Sequence, residues 1–310
     1  MPATAAGQAR EARMIAVAFK AKTCTKKNKV LFLLKIHNLG EIMPVKVIFK
    51  IGGSVLTDKT DPNVNVRYDV IDRLAREISQ LIAKDYRFVL LHGVGSAGHV
   101  PVKQYELYKG FFSEKQLIGY AIAQNRVNRV RQALLDALEK NGVPGILFLP
   151  SSFIVADKGR IVKTYHEPMV KIVQTGIIPV LSGDMVADLT MGLSVCSGDQ
   201  QAFKLAEIFD SKLIIFGVDV DGVYDSDPKK GEANLIKRLT YDEVKNIVKK
   251  VGGAAGIDVS GGMKGKLLEA LANKRFFDNG GEVWILNATK ENMLTKALMK
   301  ETDEYTRITR

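Results

Sequence analysis

Cysteine and histidine are scarce in this sequence, and long apolar runs are missing. The 310 residues include four histidines and two cysteines, Cys24 and Cys196. These numbers are too small for a disulfide framework or a zinc site, and they favour a reducing compartment. No apolar run reaches the roughly 18–20 residues that a membrane-spanning helix needs. The composition, 46% hydrophobic and 25% charged, is that of an ordinary globular protein.

The net charge of +11 suggests nucleic-acid binding until the charges are located along the chain. Residues 1–44 carry eight Lys or Arg and two Glu, a net charge of +6, which leaves +5 for the other 266 residues. A mildly basic body suits anionic small molecules better than nucleic acid, so we expect no nucleic-acid partner. Residues 1–42 are expected to form a basic, flexible extension. One alternative stays open, that VLFLLKIHNLG (30–40) adds a strand.

From residue 45 onward, short β-branched runs alternate with amphipathic stretches. This alternation predicts an α/β fold, a three-layer αβα sandwich with one continuous, mostly parallel central sheet. A hairpin is expected around Lys158 and Gly159. Strands are predicted at 45–50, 87–93, 145–150, 177–183, 212–218 and 282–288, the hairpin strands at 152–157 and 160–165, and helices at 68–84, 117–142, 165–176 and 199–209.

Four glycine-rich segments are expected at the carboxyl ends of strands: KIGGS (50–54), HGVGSAGH (92–99), LSGD (181–184) and DVSGGMKGK (258–266). In doubly wound sheets, ligands bind beyond the carboxyl ends of the strands. Glycines let backbone N–H groups approach phosphate oxygens, and a helix N-terminus adds a favourable dipole. Any one segment could be a simple turn, but the four together favour a phosphate site. No Walker A loop, GxxxxGK[ST], is present.

Charged residues accompany these loops in a pattern that suits phosphoryl transfer, which depends mostly on positioning and positive charge. Lys50, Lys59 and Lys266 lie in or beside glycine segments, and Asp199 begins a predicted helix. Asp199 could cap that helix, hold two lysines in place, or do both. The acidic segment GVDVDGVYDSDP (217–228) lacks the spacing of a calcium loop. It fits a nucleotide-contacting loop, and Mg²⁺ would enter with the nucleotide, without a protein metal site.

The motifs K-x-G-G-S, SGD, DVDGVY and GGM, the last followed three residues later by Lys, resemble the amino acid kinase superfamily. Within it, GGSVLTDK, HGVGSAGH, LSGDMVAD, DVSGGMKGK and the terminal TRIT are most similar to the isopentenyl phosphate kinase family. The resemblance spans 43–310 and implies an amino acid kinase-like domain, with an acceptor-binding lobe at about 43–180 and a nucleotide-binding lobe at about 181–310. It also implies ATP, isopentenyl phosphate as acceptor, and a cytoplasmic homodimer without a membrane partner.

Roles for individual residues follow from the resemblance alone. Lys50 and Lys266 would hold the transferring phosphoryl group, Lys59 would bind an ATP phosphate, and Asp199 would orient the lysines. His99 would bind the acceptor phosphate, and it completes the implied catalytic set. The implied ATP-binding residues are Lys50, Gly52, Gly53, Ser54, Gly95, Asp219, Gly262 and Lys266, and the implied acceptor-binding residues are Val94, His99 and Gly183.

One departure from the family concerns the prenyl tail of the acceptor. The family usually has an aromatic residue within G-S-x-G-H, and this sequence has Ala97. We expect Ala97 at the mouth of an apolar pocket whose walls come from the 117–135 helix, near Ile118 and Ile122. The preferred chain length is left open. Two other functions stay open: a related kinase acting on a phosphonate such as fosfomycin, and a catalytically silent nucleotide-binding regulator.

Overall fold

The computed structural model describes residues 44–58, 64–226, 231–250 and 262–310. The extension 1–42 and Lys59 lie outside these ranges. The strands within them are β1 (Val47–Ile51), β2 (Phe88–His92), β3 (Gly145–Leu147), β4 (Ile154–Asp157), β5 (Arg160–Thr164), β6 (Ile178–Ser182), β7 (Asp184–Asp188), β8 (Gly192–Cys196), β9 (Leu213–Val218), β10 (Arg238–Thr240), β11 (Glu282–Asn287) and β12 (Thr306–Thr309).

The helices alternate with these strands along the described chain. They are α1 (Gly53–Leu56), α2 (Tyr68–Ala83), α3 (Gly95–Gln104), α4 (Lys115–Lys140), α5 (Glu167–Gln174), α6 (Gly198–Ile208), α7 (Tyr241–Lys250), α8 (Gly262–Ala272), α9 (Lys274–Asp278) and α10 (Met293–Leu298). Short 3₁₀ turns lie at Leu107–Lys109 and Pro150–Ser152. None of the helices in the described ranges is both long and apolar enough to cross a membrane.

An eight-stranded sheet forms the middle layer, in the order β10-β12-β11-β9-β1-β2-β6-β3. All its neighbouring pairs are parallel except β11 with β12. Its central strands are apolar on both faces, as strands are when helices cover both sides. Val47, Phe49 and Ile51 of β1 pack into one core cluster, and Ile48 packs into the other. Helices α2, α4 and α10 cover the first face, and α6, α8 and α9 cover the second. The predicted three-layer sandwich is therefore confirmed.

The predicted elements of this sheet and its helices are all present, and their ends shift by three residues or fewer. The hairpin is also confirmed, because β4 and β5 pair antiparallel. Its turn residues, Lys158 and Gly159, have φ of 49° and 76°, which matches the right-handed twist of a tight hairpin.

The prediction of one continuous sheet is wrong. The hairpin joins β7 and β8 in a separate four-stranded sheet of order β5-β4-β7-β8. Here β7 pairs antiparallel with β8 along its whole length, from Asp184 opposite Cys196 to Asp188 opposite Gly192. Asp188 fixes the turn of the hairpin as well, since its carboxylate accepts hydrogen bonds from the backbone nitrogens of Lys158 and Gly159. The chain thus leaves the central sheet at Gly183, between β6 and β7.

Candidate active site

Two glycine loops meet at the carboxyl ends of β1 and β2. The parallel register sets Ile51 opposite His92, so the residues that follow each strand lie side by side. A Cβ atom on Gly53 would lie 2.3 Å from the backbone nitrogen of Gly95, and one on Gly93 would lie 2.4 Å from the backbone nitrogen of Gly53. Real Cβ contacts are never that short, so this close approach of the two backbones requires glycine.

Three buried charges lie beside these loops. The Nζ of Lys50 is 2.8 Å from Oδ1 of Asp199, and the Nζ of Lys266 is 3.3 Å from Oδ2. The exposed fractions are 5%, 1% and 6% for Lys50, Asp199 and Lys266. Burial alone would raise the pKa of Asp199, but the charges of Lys266 and Lys50 and their hydrogen bonds outweigh it and lower this pKa. The group carries two positive charges against one negative charge, so it favours an anion.

Local structure explains why the three side chains converge. Lys50 is the fourth of the five residues of β1, next to the carboxyl end of that strand. Asp199 lies in the first turn of α6, but the residue that caps this helix is Ser197, whose Oγ accepts a hydrogen bond from the nitrogen of Gln200 at 3.1 Å. Ser197 thus supplies the cap, and the carboxylate of Asp199 contacts both lysines. Lys266 lies one turn into α8.

Most of the other predicted nucleotide-side residues lie near this group. Gly52 donates its backbone hydrogen to the oxygen of Gly217 at 2.7 Å, which ties the first loop to the end of β9. Ser54 donates to Oδ1 of Asp219 at 3.0 Å. Gly262 begins α8 with φ of 58°, and its carbonyl oxygen is 3.3 Å from the Nζ of Lys266.

The carboxylates of Asp219 and Asp221, in the predicted nucleotide-contacting loop, have different contacts. Asp219 is exposed beside the first glycine loop, whereas Asp221 is held by Lys290 at 2.7 Å and by Asn287 at 3.0 Å. In the described ranges, no three Asp, Glu, His or Cys side chains are arranged to hold a metal ion. Among the described carboxylates of this segment, Asp219 is the one that contacts the glycine loop, through Ser54.

A cavity that is partly open to solvent extends from the charged group. Lys50 and Asp199 belong to its lining. The predicted acceptor residues Val94, His99 and Gly183 also line it. The lining further includes a set of apolar side chains: Val102, Ala123, Val127, Met185 and Val195. The helices α3 and α6 begin at this cavity, because Val94 and Ser197 precede them and line it. Such helix N-termini favour bound anions.

The helix predicted to form the walls of the apolar pocket does line the cavity, but the three residues named for the pocket do not. Ala97 is fully buried in the core beneath the central sheet's helices, Ile118 is 59% exposed, and neither lines the cavity. Ile122 does not line it either. Residues 97 and 99 lie two positions apart, about 200° around a helix, so when His99 faces the cavity Ala97 faces away. On α4, the apolar residues that line the cavity are Ala123 and Val127, which follow Ile122 in the sequence.

Sequence reasoning also missed a second buried ion pair. Arg131 of α4 is 1% exposed, and its Nη2 is 3.4 Å from Oδ2 of Asp184. Asp184 belongs to the LSGD segment, but no local pattern marks Arg131 as buried. The spacing of Arg131 from Gln124, two helical turns apart, is the one signal that could have shown that both face the cavity side.

Comparison with known proteins agrees with this geometry. The sequence model of the amino acid kinase family matches residues 45–287, which include both glycine loops, Asp199 and Lys266. The chain belongs to the amino acid kinase family. Lys50, Asp199 and Lys266 lie in the part of the chain that this family shares.

Several members of this family are similar to the chain over most of its length. The chain is 33% identical over 271 residues to the isopentenyl phosphate kinase of Methanothermobacter thermautotrophicus, covering 85% of this chain and 98% of the relative. It is 32% identical to the isopentenyl phosphate kinase of Methanocaldococcus jannaschii, covering 83% and 96%. A solved isopentenyl phosphate kinase structure, 32% identical, superposes with a TM-score of 0.71 over 85% of this chain and all of that one.

Proposed function

We propose that this protein transfers the γ-phosphoryl group of ATP to isopentenyl phosphate and forms isopentenyl diphosphate. The observation that carries the proposal is the mixed lining of the cavity, which combines Lys50 and Asp199 with a set of apolar side chains. An amphiphilic acceptor matches this lining, since its phosphate needs positive charge and its hydrocarbon tail needs apolar contacts. The names of the relatives support the same acceptor.

Transfer occurs directly between the two substrates in this proposal. An oxygen of the acceptor phosphate attacks the γ-phosphorus, a new P–O bond forms, and the bond to the β,γ-bridging oxygen breaks as ADP leaves. Negative charge develops on the transferred group and the leaving oxygen. Lys50 and Lys266 stabilise this charge, and Asp199 holds both ammonium groups in place at 2.8 and 3.3 Å. Fixed charges in a buried site need no reorganisation during the reaction.

The glycine loops supply the remaining contacts to phosphate. Backbone N–H groups of Gly53 and Gly95 bind ATP phosphates, with Ser54 alongside them. The N–H of Gly52 is already engaged with the oxygen of Gly217, so Gly52 contributes by shaping the loop. Lys59, which lies outside the described residues, is also assigned to an ATP phosphate. Asp219 and Gly262 lie on the nucleotide side. A magnesium ion carried by ATP would neutralise part of the phosphate charge, and no carboxylate cage in the described ranges competes for that ion.

The acceptor phosphate is assigned to His99 and to the backbone at Val94 and Gly183. His99 is half-buried on the first turns of α3 and lines the cavity. A histidine can donate a hydrogen bond to a phosphate oxygen, and the bond strengthens when the ring is charged. This arrangement puts the acceptor's charged end near Lys50 and its tail against Val102 and Val127.

Neither alternative function is favoured. A catalytically silent regulator has no need for two buried lysines that contact one carboxylate. A phosphonate such as fosfomycin has no long hydrocarbon tail to contact the apolar side chains of the lining. The two-lobe division, homodimer formation, a cytoplasmic location and the accessory role of 1–42 remain predictions from the sequence.

The experiment that tests the proposal is an acceptor panel. Release of ADP would be measured with isopentenyl phosphate, dimethylallyl phosphate, fosfomycin, glutamate, aspartate and UMP under identical conditions. We expect the highest kcat/KM with isopentenyl phosphate. A higher value with glutamate, aspartate or UMP would contradict the acceptor assignment, and a higher value with fosfomycin would favour the phosphonate kinase.

A further inference from the structure

The second buried ion pair lies in the wall of the cavity. Asp184 and Gln124 both line it, whereas Arg131 is behind them and fully enclosed. The Nε of Arg131 donates to Oγ of Ser182 at 2.9 Å, and its Nη1 donates to Oε1 of Gln124 at 2.8 Å and to Oδ1 of Asn128 at 2.8 Å. The guanidinium therefore joins α4 to the end of β6, immediately before Gly183.

The carboxylate of Asp184 is surrounded by donors. Its Oδ1 accepts hydrogen bonds from Nε2 of Gln124 and from the backbone nitrogen of Met185 at 2.9 Å. Its Oδ2 accepts one from the backbone nitrogen of Ser151 at 3.2 Å and lies 3.4 Å from Nη2 of Arg131. A buried carboxylate needs such compensation, since an isolated charge in a buried site is very costly.

Gln124 is fixed at both ends of its amide. The nitrogen donates to Asp184 and the oxygen accepts from Arg131. The polar atoms of this wall are thus engaged with each other and not directed at a ligand. As a result, a wall that contains an amide and a carboxylate can lie beside a hydrocarbon tail and beside an anionic phosphate.

We propose that Arg131 is a positioning residue for the acceptor: it neutralises the charge of Asp184, so that a doubly negative phosphate can bind next to a carboxylate. The inference rests on the proposed function. Without the guanidinium, Asp184 would present an uncompensated negative charge within the cavity, and like charges at short distance in a poorly solvated site repel strongly. The repulsion would act on the acceptor more than on ATP, because the cavity wall faces the acceptor side.

The test compares charge removal at each member of the pair. Arg131→Met keeps the size of the side chain and removes its charge, so we expect the KM for isopentenyl phosphate to rise about tenfold or more and the KM for ATP to change less than about twofold. Asp184→Asn removes the repelling charge and should not raise the acceptor KM. The double variant should return the acceptor KM to within about threefold of the wild type, because both charges are gone.

Two further variants test whether the effect depends on the charge at position 131. Arg129→Met is the matched control, since Arg129 lies exposed on the same helix, and it should change neither KM. Arg131→Lys keeps the charge and should stay within about threefold of the wild-type acceptor KM. Thermal melting of each variant shows whether it folds; if Arg131→Met does not fold, the double variant and Arg131→Lys carry the test through the same ratio of acceptor KM to ATP KM.

The outcomes separate this inference from the proposed function. Wild-type protein that does not turn over isopentenyl phosphate would overturn both. Wild-type turnover, with Arg131→Met raising both KM values equally or with a double variant that does not recover the acceptor KM, would overturn the inference alone and make the pair a purely structural feature.

Discussion

Replacing Asp199 by asparagine is the most informative change to the charged group. The substitution keeps the size and one acceptor oxygen but removes the negative charge that Lys50 and Lys266 share. Two ammonium groups would then remain buried near each other with no counter-charge between them. Removing one partner of a buried ion pair costs about 3–5 kcal/mol, mainly because the remaining charge is left uncompensated.

The expected effect on stability follows from that cost. For a domain of this size, 1 kcal/mol corresponds to roughly 2–4 °C in Tm, so Asp199→Asn should melt about 6–20 °C below the wild type at neutral pH. The pKa of Asp199 is lowered in the fold, so its contribution is complete above its unfolded pKa of about 3.9. It is lost as the pH falls through the lower, folded value. The difference in Tm between the two proteins should therefore shrink in strong acid.

The expected effect on catalysis is larger than the effect on binding. Misplaced lysines no longer stabilise the charge that develops in the transition state, so we expect kcat to fall by about 10²–10³ while the KM for ATP changes much less. Both constants would be measured by ADP release at a temperature where the variant is fully folded. Asp210→Asn is the control: Asp210 is 85% exposed in its side chain and pairs with Lys212 on the surface. A folded Asp199→Asn with near-normal kcat would refute the reasoning.

Four further predictions address the loops, the acceptor and the extension. Lys50→Ala and Lys266→Ala should each lose far more kcat than ATP affinity, and a variant with normal kcat and only a raised ATP KM would lose its assigned role. His99→Ala should raise the KM for isopentenyl phosphate about ten- to a hundredfold with an unchanged ATP KM, and His99→Gln should recover part; equal effects on both substrates would indicate a structural role. Gly53→Ala should lower Tm and kcat together, since its Cβ would lie 2.3 Å from backbone, and a variant that melts like the wild type would contradict the close loop contact. Deleting 1–42 should leave turnover intact, and an insoluble product would show instead that this segment completes the domain.

The central sheet could be predicted because its strands are marked by local pattern. The run LIIFGV of β9, for example, is apolar throughout and ends at a turn, which is the signature of a strand covered on both faces. The site loops could be predicted for a related reason, since glycines that directly follow such strands must lie at one edge of a parallel sheet.

Other features depend on contacts between distant parts of the chain. The second sheet was not predicted because β7 (DMVAD) and β8 (GLSVC) have no continuous apolar run and are defined by pairing with each other and with the hairpin. The burial of Arg131 on α4 depends on the carboxylate of Asp184, which lies on β7. Whether Ala97 faces the cavity or the core depends on how α3 is oriented about its own axis, which tertiary packing determines. Local propensity is a weak guide to each of these.

Direct detection of isopentenyl diphosphate is the strongest test of the proposed phosphoryl transfer. ATP and isopentenyl phosphate would be mixed with the protein and followed by ³¹P NMR, with Asp199→Asn as the matched control. We predict that the acceptor's single phosphate resonance is replaced by the paired resonances of isopentenyl diphosphate, in step with conversion of ATP to ADP. The control should convert both far more slowly. Loss of ATP with release of inorganic phosphate and an unchanged acceptor resonance would contradict the proposed transfer.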